Sequence, residues 1–168
     1  MLLSMEVSLY NPRFAVMEAT DGKARVIYTA CSAHVHEAAM HMRKRTPPGE
    51  LLAEIADKLE FILAAYPIDH VVWYMRRNGI VNRDTSMMGL GAILLLLHQA
   101  GLPLPEEMTR SRIHLALTGR SQADAQLLEQ YAFHYLKYWR EEYRPFVSPI
   151  FTGLSWYCIH GVLEGRNR

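Results

Sequence analysis

Apolar residues fall into short runs bounded by turn formers at the start of the chain, and then change period. Leu2 to Tyr10 reads as a strand, closed by Asn11-Pro12-Arg13 as a turn. Phe14 to Ala19 reads as the return strand. Thr20-Asp21-Gly22-Lys23 is a second turn signal, and Ala24 to Ala30 a third strand. Three strands joined by short turns predict an antiparallel meander. Cys31 to Pro48 shows neither period and is read as a loop, with room for a short helix. From Glu50 to Ala65 the spacing becomes helical. Leu51, Leu52, Ile55, Leu59, Ile62 and Leu63 share a face, and Pro47-Pro48-Gly49 precedes them.

His70 to Met75 is a β-branched and aromatic run that reads as a buried strand. With the helix before it, it completes a βαβ unit, which predicts a parallel, right-handed connection. Arg76 to Arg83 is a polar loop containing Asn78-Gly79. Asp84 or Thr85 can cap a helix over Ser86 to Ala100 that ends at Gly101. Leu102 to Met108 is short and extended, and Arg110 to Thr118 carries Ile113, Leu115 and Leu117. Gly119-Arg120-Ser121 leads into a helix from Gln122 to near Tyr138. After Pro145 and Pro149, Ile150 to Leu163 forms a last helix. This order predicts an α/β fold: a mixed five-stranded sheet, meander plus parallel strands, with helices on both faces. No repeat, low-complexity stretch or linker interrupts it, so residues 1–168 read as a single domain.

Charge adds little at first. The formal net charge is +1, which does not advertise nucleic acid. Arg greatly outnumbers Lys, however, and its planar fork suits phosphate or carboxylate. A GC-rich genome produces the same bias. Cys31 and Cys158 have no metal-ligand spacing and form no CxxC, which fits a reduced, cytoplasmic chain. The apolar stretch Met1 to Met5 meets Glu6 and has no basic residues before it, so it is no signal peptide. The longest apolar run, Ala92 to Leu97, is far too short to span a bilayer.

Three stretches carry a resemblance. Ser4-Met5-Glu6-Val7-Ser8 is followed by Phe14-Ala15-Val16-Met17. His70 to Tyr74 is followed by Asn82-Arg83-Asp84-Thr85 and a helix. Ile113 to Gly119 is followed by Ser121-Gln122-Ala123-Asp124-Ala125. In order and spacing, from about Leu2 to about Leu128, they resemble the RuvC-type Holliday junction resolvases of the RNase H-like superfamily. The resemblance implies the five-stranded fold, branched DNA as a partner and a long dimer-forming helix. It also implies a metal-dependent site in which about four carboxylates hold two divalent ions. Most of those positions differ here. The first acid is Glu6, one methylene longer than the family's Asp. The second falls on Tyr74. The third and fourth belong near Pro149 to Gly153, where no acid exists. The family's Lys positions fall on His114 and Ala125.

A single carboxylate cannot hold a metal pair. The expectation is therefore a catalytically inactive relative, without cofactor, that binds branched DNA, other nucleic acid or a protein partner. The alternative is an active endonuclease using Mg²⁺ or Mn²⁺ at a site rearranged around Glu6, recruiting Glu18, Asp69, Asp84 or His160. Drifted motifs on a small chain also suit a phage or mobile-element protein.

Arg76, Arg77, Arg83, Arg110, Arg112 and Arg120 fall in segments that flank the site in this fold, and are candidates for phosphate contact. Arg140 and Arg144 are further candidates. The plainer reading is surface Arg paired with nearby Glu. Tyr131, Phe133, Tyr135, Tyr138 and Trp139 can stack on bases, or serve as core at helical spacing. His34, His36 and His41 lack a fourth zinc ligand and read as a His-rich loop, so no metal is assigned. The helix Ser86 to Ala100 is apolar nearly all round. More than one face must be covered, which makes Met87, Met88, Leu90, Leu94 and Leu95 the expected homodimer interface. Burial within the monomer is the alternative.

Overall fold

The structure is a computed structural model that describes residues 1–8, 11–31, 46–75 and 83–163, with residues 83–86 described by backbone only. The expectations placed on Arg76, Arg77, His34, His36 and His41 lie outside the described residues, as do the side chains of Arg83 and Asp84.

Five strands form one mixed sheet. β1 (Leu2–Val7) is its centre. β2 (Arg13–Thr20) lies antiparallel to β1, and β3 (Lys23–Cys31) antiparallel to β2. On the other side β4 (His70–Met75) runs parallel to β1, and β5 (Glu106–Glu107) parallel to β4. The order across the sheet is β3-β2-β1-β4-β5. The β2–β3 turn needs two left-handed residues, and Asp21 (φ 56°) with Gly22 (φ 69°) supplies them. Val16 faces Tyr28 and Met17 faces Val26, so Ile27 is an extra residue in β3. This bulge lets Ile27 and Tyr28 both pack on one face of the sheet while Val26 turns to the other.

Period-two alternation sorts β1 cleanly. Leu3, Met5 and Val7 join one core layer, with Phe14, Val16, Val71 and Trp73 beside them. Helix α1 (Pro48–Ala65) covers that layer through Leu51, Ile55, Leu59 and Ile62. Helix α2 (Arg83–Gln99) adds Leu90, Ile93 and Leu97. Gly101 (φ 72°) ends α2. Its N–H donates to His98 O, and that of Leu102 to Leu97 O, the paired bonds of a Schellman cap. Of the five residues expected at a dimer interface, Leu90 is buried in this layer and Leu94 is half-buried against it. Met87, Met88 and Leu95 are exposed.

Leu2, Ser4 and Glu6 point the other way, towards helices α3 (Arg110–Thr118), α4 (Ala125–Tyr135) and α5 (Val147–Ile159). The stretch Arg110 to Thr118 is helical because Thr109 caps its start, accepting from the Arg112 N–H, and Gly119 (φ 73°) ends it. It buries Ile113, His114, Leu117 and Thr118 and leaves Leu115 exposed. α4 is shorter than its pattern predicts at both ends. Asp124 caps it late, and at Leu136 the chain leaves the helix to bridge Ala24 of β3. α5 takes Pro149 into its first turn, where a missing N–H costs nothing, and stops before Gly161 (φ 68°). Among the described residues no helix is long and apolar enough to cross a membrane.

Candidate functional site

The parallel pairing of β1 and β4 sets Glu6 directly opposite Tyr74. The antiparallel pairing of β1 and β2 sets Arg13 opposite Glu6 on the other side. All three sit at one end of the sheet. Glu6 is 8% exposed, and Arg13 Nη1 lies 3.4 Å from its Oε2. The sequence places Arg13 in a turn with no functional role, whereas in the structure it opens β2. The signal was present, because a strand that returns through a short turn brings its first residues beside the last of the strand before.

α3 delivers His114. The ring is buried, and its Nδ1 accepts the Ala123 N–H at 3.0 Å. That bond places the proton of the neutral imidazole on Nε2. Burial, and secondarily the Arg110 charge, hold the ring's pKa below its usual range. Tyr74, His114 and Arg110 line two adjoining hollows. The larger, about 990 Å³, also touches Thr109, Ser111, Gln122 and Asp124. The smaller, about 380 Å³, reaches down to Glu6, Arg13, Glu129, Ser148 and Phe151. The three positions singled out in the sequence, Glu6, Tyr74 and His114, thus converge on one cleft.

The stretch expected to hold the remaining acids is closed core. Pro149, Ile150, Phe151, Thr152 and Gly153 are all buried. The Ser4 hydroxyl donates to Pro149 O at 2.6 Å. A side chain at Gly153 would begin 2.5 Å from Met17 Sδ and 3.2 Å from Ser4 Cβ. There is room here for a helix lying flat on the sheet, and none for a solvated carboxylate. Among the described residues no three His, Cys, Asp or Glu side chains gather as a ligand set. The described residues of the site therefore do not fit a metal pair.

The residues considered for a rearranged site lie apart. Glu18 pairs with Arg25. Asp69 precedes β4, at the end of the sheet opposite Glu6, since Leu2 faces His70 and Glu6 faces Tyr74. His160 Nε2 lies 3.1 Å from Glu106. Glu106 also accepts the Trp156 indole N–H at 2.9 Å and pairs with Arg112 at 2.7 Å. Arg112 is thereby tied to the edge strand. Glu106 thus fastens β5 to α3 through Arg112 and to α5 through Trp156. Arg110 and Arg120 are exposed, and Arg110 overhangs the cleft. Arg140 pairs with Glu142 and lies 5.2 Å from the Tyr138 ring centre, and Arg144 pairs with Glu141. Tyr135 is core, Phe133 and Trp139 pack on one another, and Tyr138 is exposed.

No protein-family model and no curated protein matches the sequence. Solved structures do match. Thermus thermophilus RuvC superposes with a TM-score of 0.77 at 15% identity, covering 96% of each chain. T. thermophilus RuvC in complex with Holliday junction substrate gives 0.78 at 16% identity, with the same coverage. This chain has a RuvC-type fold. In this RuvC-type fold the expected sheet, its strand directions and its two helical layers are all present. Among the described residues its cleft holds one buried acid with a guanidinium beside it, a tyrosine and a histidine.

Proposed function

We propose that this chain is a RuvC-like protein that binds branched nucleic acid in the cleft around Glu6, Tyr74 and His114, without two-metal cleavage. The observation that carries the proposal is the pairing of a kept scaffold with a lost ligand set. Glu6 is already neutralised by Arg13, Tyr74 stands beside it, and residues 149–153 are buried and free of acid. A solved RuvC neighbour holds Holliday junction DNA, which supports branched DNA as the ligand class. Net charge +1 supplies no long-range attraction, so affinity rests on local contacts such as Arg110.

The same proposal makes the chain a homodimer through α2. Met87, Met88 and Leu95 are 51%, 44% and 57% exposed, an unusual apolar display on one helix. Leu95→Glu then yields a monomer by light scattering, against a wild-type dimer.

The test of function uses a labelled four-way DNA junction, with and without Mg²⁺ or Mn²⁺, across a salt series. The expected result is salt-dependent binding with the junction left intact. Metal-dependent nicking that vanishes in Glu6→Gln would overturn it in favour of a rearranged nuclease. Absence of any salt-dependent binding would instead assign the fold to a protein partner.

A further inference from the structure

The charge that meets the phosphate is a separate question, and the answer rests on the nucleic-acid reading above. A buried carboxylate requires a partner. In a metal-dependent cleft that partner is a divalent ion. For Glu6 it is Arg13, placed by strand register and therefore fixed. The contact engages one guanidinium nitrogen. A guanidinium carries five N–H donors in a planar fork, and the Arg13 side chain is 30% exposed. Its remaining donors are available to the hollow that it lines with Arg110 and His114. His114 adds a donor as well. With Nδ1 occupied by the Ala123 N–H, the Nε2 proton has no protein acceptor among the described residues. Glu129 shares the hollow, and Asp124, which lines the larger hollow beside it, accepts the Leu127 N–H at 2.7 Å.

We infer that the hollow between Arg13, Arg110 and His114 binds a phosphodiester group by side-chain donors alone, with Arg13 standing where a divalent ion would offset Glu6. Glu6 is then not a ligand carrier but an opponent of binding, partly cancelled by its neighbour. This reverses the consequence of removing it. In a metal-dependent site Glu6→Gln weakens phosphate binding. Here it releases the whole Arg13 fork and tightens it.

The experiment measures binding of a fluorescein-labelled four-way junction to the full chain, in EDTA and in Mg²⁺ at matched ionic strength. Wild type binds with the same affinity in both, within about twofold, because no ion is needed. Glu6→Gln binds about threefold tighter in EDTA, and Arg13→Gln about tenfold weaker with its salt slope reduced by about 1, the loss of one phosphate contact. Weaker binding by Glu6→Gln, or wild-type binding only with Mg²⁺, overturns the inference while leaving nucleic-acid binding in place. Glu6→Gln keeps Arg13, so its result stands even if Arg13→Gln unfolds. If the wild type binds no junction, the functional reading fails, and inorganic phosphate becomes the probe. A shift of the His114 imidazole resonances on adding phosphate, absent in Arg13→Gln but retained in Glu6→Gln, then sustains the anion site. No shift in the wild type overturns it.

Discussion

The two faces of the sheet are built on different rules. The face under α1 and α2 is aliphatic and aromatic throughout, from Leu3, Met5 and Phe14 to Leu59 and Ile93. The opposite face mixes apolar residues with buried polar ones: Ser4, Glu6, His114, Thr118, Thr152 and Ser155. Each of β1 to β4 contributes to both, so period-two alternation separates a layer that only stabilises from a layer that also holds the cleft. On the second face the polar groups are satisfied by specific partners. Ser155 Oγ donates to Phe151 O, Thr118 Oγ1 to His114 O, and Tyr157 OH to Met17 O at 2.9 Å. A buried polar group without such a partner costs more than a bond gains, so this face tolerates change less uniformly.

The contrast breaks hardest at Phe14. This ring is fully buried on the apolar face. Phe14→Ala is expected to cost about 3–5 kcal/mol of stability, read by denaturant or thermal unfolding. Junction affinity of the remaining folded protein should stay at the wild-type value. A variant that unfolds little, or that loses affinity while folded, would mean that the two layers are not separable.

On the cleft face the largest effect belongs to Gly153. An added Cβ meets Met17 Sδ at 2.5 Å, and Met17 is itself fully buried. Gly153→Ala is expected to destabilise by about 1–3 kcal/mol, because α5 must lift or Met17 must leave its rotamer. Ser4→Ala comes next. It removes the donor to Pro149 O, at 2.6 Å, from a fully buried site. The expected cost is about 1–2 kcal/mol, from an acceptor left without its bond. Both substitutions loosen the seat of α5 beside the cleft. Both should therefore weaken junction binding as well as lower Tm, which Phe14→Ala should not.

The same contrast explains what was legible in the sequence. α1 was plain, since Leu51, Ile55, Leu59 and Ile62 lie on one helical stripe. The meander followed from turn signals such as Asp21-Gly22, β4 from its β-branched and aromatic run, and β5 lies within the short extended stretch Leu102 to Met108. Glu6, Tyr74 and His114 were found through the resemblance; register joins the first two, and the packing of α3 on the sheet brings His114 to them. The second face resisted. α5 is buried from Pro149 to Tyr157 on nearly every side, so it has no stripe to read. α4 ends at a bridge between Leu136 and Ala24, a contact 112 residues apart that no local signal carries. For Arg112 the sequence leaves phosphate contact and pairing with a nearby Glu both open, and the fold decides for the pair, joining it to Glu106 and, through that carboxylate, to Trp156 and His160. Arg13, read as part of the turn, gains its role only once β2 is seen to begin with it, opposite Glu6.

The smallest expected effect is the most specific to the cleft. Burial and the Arg110 charge lower the pKa of His114 from its ordinary value of 6.5, so the folded protein favours the neutral ring. As pH falls below 6.5, an unfolded His114 takes up its proton before the folded one does. The stabilising contribution is complete above that pH and is lost as pH falls through the lower, folded pKa. His114→Asn keeps an acceptor for the Ala123 N–H and cannot titrate. Between about pH 7.5 and pH 5 the wild-type Tm should therefore drop further than that of the variant. Junction binding should move the opposite way, because a phosphate beside the ring favours its charged form and raises its pKa. Acid thus weakens the wild-type fold and tightens its grip on the junction, with both slopes reduced in His114→Asn. Equal Tm slopes in the two proteins would show that His114 is not held neutral, and equal affinity slopes that its Nε2 does not meet the phosphate.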